Sequence, residues 1–186
     1  MWWAQLLNNQ AALYDAGVVA VGDFESIQTY VMTGAQSSVT FSSIPSTYKH
    51  LQVRIIGNVS TDGNLLMRVG NGSADSGSNY SWHQMYGAGS GSGGAVSGAS
   101  STQMYFASMT NGSNIFGASI IDILDYADTN KYKTIRGLDG YDANGSGVVD
   151  LASGSWRNTA AINTIEFRCA ANFNQYSSFA LYGIKG

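Results

Sequence analysis

The sequence predicts an all-β protein: an antiparallel two-sheet β-sandwich preceded by a short N-terminal helical or extended arm. Three observations carry this. Short runs rich in Val, Ile, Thr, Tyr and Phe recur through residues 26–184, each bounded by clusters of Gly, Ser, Asn and Asp. The clearest runs alternate with period two: Leu51, Val53 and Ile55 share one face while Gln52 and Arg54 share the other. No long helical pattern interrupts the series, which argues against a parallel βαβ architecture.

Taken in order, the candidate strands are residues 26–33, 38–42, 51–57, 65–70, 80–86, 103–108, 118–126, 132–137, 148–152, 162–169 and 178–184. That is a number in keeping with two-sheet sandwiches of this length. In the run 162–169, Ile165, Phe167 and Cys169 oppose Glu166 and Arg168, so this strand too has one buried face. Asp62-Gly63, Asn71-Gly72, Asn111-Gly112, Asp139-Gly140 and Asn144-Gly145 supply the residues that tolerate positive φ in tight reversals.

Two segments depart from the pattern. Residues 87–101, GAGSGSGGAVSGASS, read as a low-complexity hairpin tip. They lack the GK[ST] ending of a phosphate-binding loop and lead into no helix. At the N-terminus Trp2, Trp3, Leu6, Leu7, Gln10, Leu13 and Tyr14 recur near helical spacing before Asp15-Ala16-Gly17 stops the run. The expected organisation is therefore an arm over residues 1–21 and one sandwich domain over residues 22–186. An isolated helix of this length is marginal in water, so something must bury it. Either it folds over its own sandwich, or Trp2, Trp3, Leu6, Leu7, Leu13 and Tyr14 dock on a neighbouring subunit or partner.

Composition narrows the chemistry. The 186 residues include 23 Gly, 24 Ser and 14 Asn, with 44% hydrophobic and only 11% charged residues. Disordered chains combine low hydrophobicity with high net charge, whereas this chain carries a net charge of -3, so it is expected to fold, without disulfides. One cysteine, Cys169, permits no intramolecular disulfide, and its place beside Ile165 and Phe167 suggests an inert core thiol. Nine scattered Lys and Arg form no basic stripe, so nucleic acid is not an expected partner. No apolar run approaches the ~20 residues of a membrane span, and the first ten residues carry no Lys or Arg of a secretion signal. Two histidines and two glutamates leave little for metal or acid/base catalysis, and no cofactor or metal is expected.

Three constellations bear on function. Tyr80, Trp82 and Tyr86 share a strand face with Gln84 and would stack on sugar rings if exposed; a core role for the aromatics is the competing reading. On the other face, His83 reads as a structural residue. Asp142, Asn144 and Ser146 have the alternate spacing of calcium ligands, but position twelve of that loop is Ser153 rather than a carboxylate, and a hairpin turn explains the same residues. Asp122, Asp125 and Asp128 precede Lys131 and Lys133 and read as surface and turn residues.

Several stretches carry a resemblance: GDFESIQTYVMTG, SSVTFSSIPSTYKHLQVRIIG, GSNYSWHQMYG, ILDYADTNKYKTIRGLDGYDANGSG, SGSWRNTAAINTIEF and NFNQYSSFALYGIKG. Together they resemble a family of small virion structural proteins of tailed bacteriophages, especially phages of cyanobacteria. The resemblance spans most of residues 22–186, and its most specific parts are TFSSIP.TYKHLQ, with Ser46 at the variable position, and FALYGIKG. It implies a jelly-roll-like sandwich on the virion exterior, a capsid decoration or cement protein or a small tail component, commonly a homotrimer bound to the major capsid protein or other virion proteins. It brings no catalytic residues.

The reading that follows is a non-enzymatic phage structural protein. The alternative is a receptor- or carbohydrate-binding module of the tail, which would use Tyr80, Trp82 and Tyr86. A glycan depolymerase would need a cleft with convergent carboxylates from Asp122, Asp125, Asp142 or Glu166.

Overall fold

The computed structural model describes residues 23–186 apart from residue 90. The expected arm, with Trp2, Trp3, Leu6, Leu7, Leu13 and Tyr14, lies outside the described residues. The rest is all-β. Twelve strands follow in chain order: β1 Phe24–Val31, β2 Gln36–Phe41, β3 His50–Gly57, β4 Gly63–Gly70, β5 Tyr80–Ala88 and β6 Gly93–Ser101. They continue with β7 Met104–Met109, β8 Gly117–Leu124, β9 Lys133–Asp142, β10 Gly147–Trp156, β11 Thr164–Phe173 and β12 Ser178–Ile184.

All pairings are antiparallel and form two sheets, β1-β12-β3-β8-β9-β10-β5-β6 and β2-β11-β4-β7. Setting aside the hairpins β5–β6 and β9–β10 leaves β1-β12-β3-β8 against β2-β11-β4-β7. That is the strand order of an eight-stranded jelly roll with two Greek keys. The β9–β10 hairpin docks on β8, the β5–β6 hairpin docks on β10, and together they lengthen the first sheet from four strands to eight.

The alternation read from the sequence puts the core between the sheets. Leu51, Val53 and Ile55 of β3 and Ile165 and Phe167 of β11 are buried. Tyr30, Phe41, Phe167, Phe179 and Phe173 form a chain of ring contacts with successive centroids 5.3, 6.4, 5.8 and 4.9 Å apart, joining β1 and β12 of one sheet to β2 and β11 of the other. Cys169 sits at the edge of this core, partly buried, and burial pushes its thiol up.

Every expected strand forms, with boundaries shifted by a few residues. Two expectations are corrected. The Gly/Ser segment 87–101 is not a hairpin tip: most of it is the end of β5 and the whole of β6. Its glycines are needed because the large β5 side chains lie across it. A Cβ on Gly98 would stand 2.5 Å from Trp82 Nε1, and one on Gly94 3.0 Å from the Tyr86 hydroxyl. Asp139-Gly140 is not a turn either but lies within β9, paired with β10 on one side and β8 on the other. The reversal is made by Asn144-Gly145, with φ of 60° and 90° and an Ala143 N–H bond to Ser146 O of 2.7 Å, a type I′ hairpin.

Candidate functional site

The aromatic row on β5 divides. Tyr80 is fully buried, and its hydroxyl donates to Val69 O or Asp75 O and accepts from Val69 N–H. It cannot face a sugar, which corrects its place in the carbohydrate set. It belongs to a core post completed by Trp156, whose indole N–H donates to Asp75 Oδ2 at 2.8 Å. Trp82 and Tyr86 do line a cleft of about 550 Å3, with Asn64, Gln84, Tyr105 and Ser108. Trp82 rests on Tyr105 with centroids 4.6 Å apart, so the ring's contact is with β7 across the sheets.

Beside this cleft lies a pair that residue spacing did not reveal. Asp150 of β10 is paired on one side with Tyr86 and on the other with Asp139 of β9. The two carboxyls are 1% and 6% exposed, and the Ser108 backbone N–H reaches Asp150 Oδ2 at 3.0 Å and Asp139 Oδ2 at 3.2 Å. Burial, then repulsion from Asp150 and a hydrogen bond with it, push the Asp139 carboxyl up to about 9. Asp139 therefore keeps its proton at neutral pH. Paired carboxyls of which one keeps its proton resemble an acid/base dyad, but these are enclosed between the sheets. The signal for them was the alternation itself: continued through 133–142 and 148–152, it puts Asp139 and Asp150 among inward residues.

The other carboxylates are dispersed. Asp122 accepts from Gln52 Nε2 at 2.9 Å, and Glu166 lies 3.7 Å from Arg68 on the second sheet. Asp142 Oδ1 accepts from Asn144 N–H at 2.7 Å inside the hairpin turn. Asp125, just beyond β8, meets Lys131 and Lys49; these lysines hold its carboxyl down at about 2. Asp128 closes a turn onto Asn130. Asp122, Asp125, Asp142 and Glu166 thus each meet a different partner and do not converge on one cleft. Among the described residues no group of three or more His, Cys, Asp or Glu is placed to hold a metal ion.

The outward face of the eight-stranded sheet carries a further surface feature. Cross-strand register aligns Met85 of β5, Leu151 of β10, Leu138 of β9 and Ile120 of β8 in one row. Adjacent strands lie about 4.8 Å apart, so the row runs about 14 Å. Met85, Leu138 and Leu151 are 59%, 55% and 47% exposed. Val149 and Ile56, also exposed, widen the row by one register step, and Arg54 ends it beside Ile120. A trace of this face is legible in residues 148–152, VVDLA, which are apolar at both parities.

Compared with protein-family models, with curated proteins and with solved structures, the chain matches none. No helix among the described residues is long and apolar enough to cross a membrane.

Proposed function

We propose that this protein is a non-enzymatic structural component of a tailed-phage virion, a capsid decoration or cement protein. It binds the major capsid protein on the outer surface and assembles as a homotrimer. The observation that supports this best is the apolar row Met85, Leu151, Leu138, Ile120 on the solvent face of a jelly-roll sheet. Contiguous apolar patches on a sheet face mark contact surfaces. A chain of net charge -3 sets up little repulsion between its copies. In this reading the sheet face packs copy against copy, and the arm over residues 1–21, with its two tryptophans, anchors the assembly on the shell.

The two most specific stretches of the phage resemblance also meet in space, which gives them a packing role. FALYGIKG supplies β12 and TYKHLQ enters β3, and these strands pair from Ser178↔Ile56 to Ile184↔His50. The decisive experiment adds purified protein to capsids that lack it. Binding, with a raised temperature of capsid disruption, is expected; capsids that leave the protein in the supernatant would overturn the reading.

A further inference from the structure

At one end of the sandwich the loops 33–35, 111–116 and 174–176 enclose a basin of about 470 Å3. It is separate from the aromatic cleft and from the apolar sheet face. We propose that this basin binds a neutral saccharide of one or two units.

The basin is built rather than incidental. Asn58, 6% exposed, holds its two rims together: its Nδ2 donates to Gly112 O at 2.9 Å and Ile115 O at 2.8 Å, while its Oδ1 accepts from Asn174 Nδ2. Its backbone adds a carbonyl bond to Asn174 N–H at 2.9 Å. The loops are thereby fixed to each other through one buried amide.

On that frame Tyr176 stands 70% exposed. Its φ of 71° lies in the left-handed region, costly for an aromatic residue, and its N–H is pinned to Met32 O at 2.9 Å. Folding therefore spends backbone strain to hold a ring in the open. Phe116 adds a second aromatic wall. Around them the side chains of Asn111, Ser113, Asn114 and Gln175 have no intramolecular hydrogen bond among the described residues. Each amide offers both donors and an acceptor, and the serine hydroxyl does both as well.

The ligand class follows from this chemistry. None of the eleven residues lining the basin is charged, so a phosphate, nucleotide or acidic peptide would find no counter-ion. A pyranose has an apolar C–H face for an aromatic ring and a rim of hydroxyls that donate and accept, which unpaired amides match. The volume lies within the ordinary range of ligand pockets.

The test uses the full chain and saturation-transfer NMR at millimolar glucose, galactose, mannose and N-acetylglucosamine, followed by titration of any sugar that responds. Tyr176→Asn removes the ring while keeping a residue that tolerates positive φ, and its melting temperature is expected to stay near that of the parent. Saturation transfer to at least one of these sugars is expected. Its affinity should fall about tenfold or more in Tyr176→Asn and again in Gln175→Ala, a basin residue with no positive φ to strain, and remain unchanged in Tyr132→Ala, an exposed tyrosine elsewhere. No transfer to any of the four sugars would overturn the proposal. Binding that survives Tyr176→Asn unchanged would overturn it equally. Neither result bears on capsid binding.

Discussion

Asp139 and Asp150 stand opposite each other across the β9–β10 ladder, buried, and share the single backbone N–H of Ser108. One oxygen of each, Oδ1, has no donor among the described residues. Asp139 holds its proton up to about pH 9 in the fold, whereas an unfolded aspartic acid releases it near pH 4. Between these values the folded chain binds more protons than the unfolded chain, so this group's contribution is greatest below pH 4 and falls as pH rises, levelling above about pH 9. Asp139→Asn supplies a permanent donor to Asp150 without a charge. We expect it to stabilise the protein at pH 7 by about 2 kcal/mol, the scale of one poorly satisfied buried polar group. Its advantage over the parent should grow from pH 4 to pH 9 in thermal unfolding. Parallel pH curves for the two proteins would refute this account of the pair.

Lys133 presents a different case of a buried charge. It is fully enclosed at the start of β9, and its ammonium donates to three carbonyls, Asp128 O, Lys131 O at 3.1 Å and Thr159 O at 3.0 Å. Burial pulls its amine below the usual lysine value. The side chain thus works as a pin that closes the 125–131 loop and ties it to the segment after β10. Lys133→Met keeps most of the stem volume but leaves three acceptors without a donor. A loss of about 3 kcal/mol in denaturant unfolding is expected, with hydrogen exchange rising first in residues 125–131.

Tyr48 and Gly183 show how the segment leading into β3 is tied to the end of β12. The Tyr48 ring occupies the place where a Gly183 Cβ would go, and its hydroxyl donates to Glu25 Oε2 at 2.9 Å. Glu25 in turn accepts from Lys185 at 2.6 Å. Gly183→Ala must expel the ring and break this chain, at a cost of about 2 kcal/mol. Removing the ring as well, in Tyr48→Ala with Gly183→Ala, should make the added methyl nearly free. A double-mutant cycle measured by chemical denaturation is therefore expected to show a coupling of at least about 1 kcal/mol, and strict additivity would count against the contact.

The jelly-roll strands were legible because each presents one apolar face to the core, as Leu51, Val53 and Ile55 do. β6 was not, because its identity depends on its neighbour: Gly94 and Gly98 look like loop residues until Trp82 and Tyr86 are seen lying over them. A glycine-rich strand is specified by the aromatics beside it, and that relation is not local in sequence. Asp139 misled for a related reason. Asp-Gly is a turn signal wherever the backbone is free to reverse, but here pairing on both sides holds it extended. Of the aromatic set, Trp82 and Tyr86 were placed in a cleft as the spacing allowed, while Tyr80 was not, since face parity does not tell how far along a strand the second sheet still covers it. The basin at Tyr176 was invisible for want of contact order: its rims come from segments near residues 34, 113 and 175.

The apolar row on the eight-stranded sheet is where the proposed assembly can be tested. Leu138 and Leu151 are direct cross-strand partners at its centre, both about half exposed, so they contribute little to the core and much to any surface that covers them. Replacing both, Leu138→Asp with Leu151→Asp, sets two like charges side by side on that face. The isolated fold should lose no more than about 1 kcal/mol, because the positions are open to solvent and like-charge cross-strand pairs cost little there. Association is a different matter: packing copies would have to desolvate those carboxylates without a counter-ion. Light scattering coupled to size exclusion should therefore show the parent as a trimer and the double variant as a folded monomer whose melting temperature, unlike the parent's, does not depend on protein concentration. A parent that stays monomeric at high micromolar concentration, or a variant that still forms trimers, would remove the sheet face from the assembly.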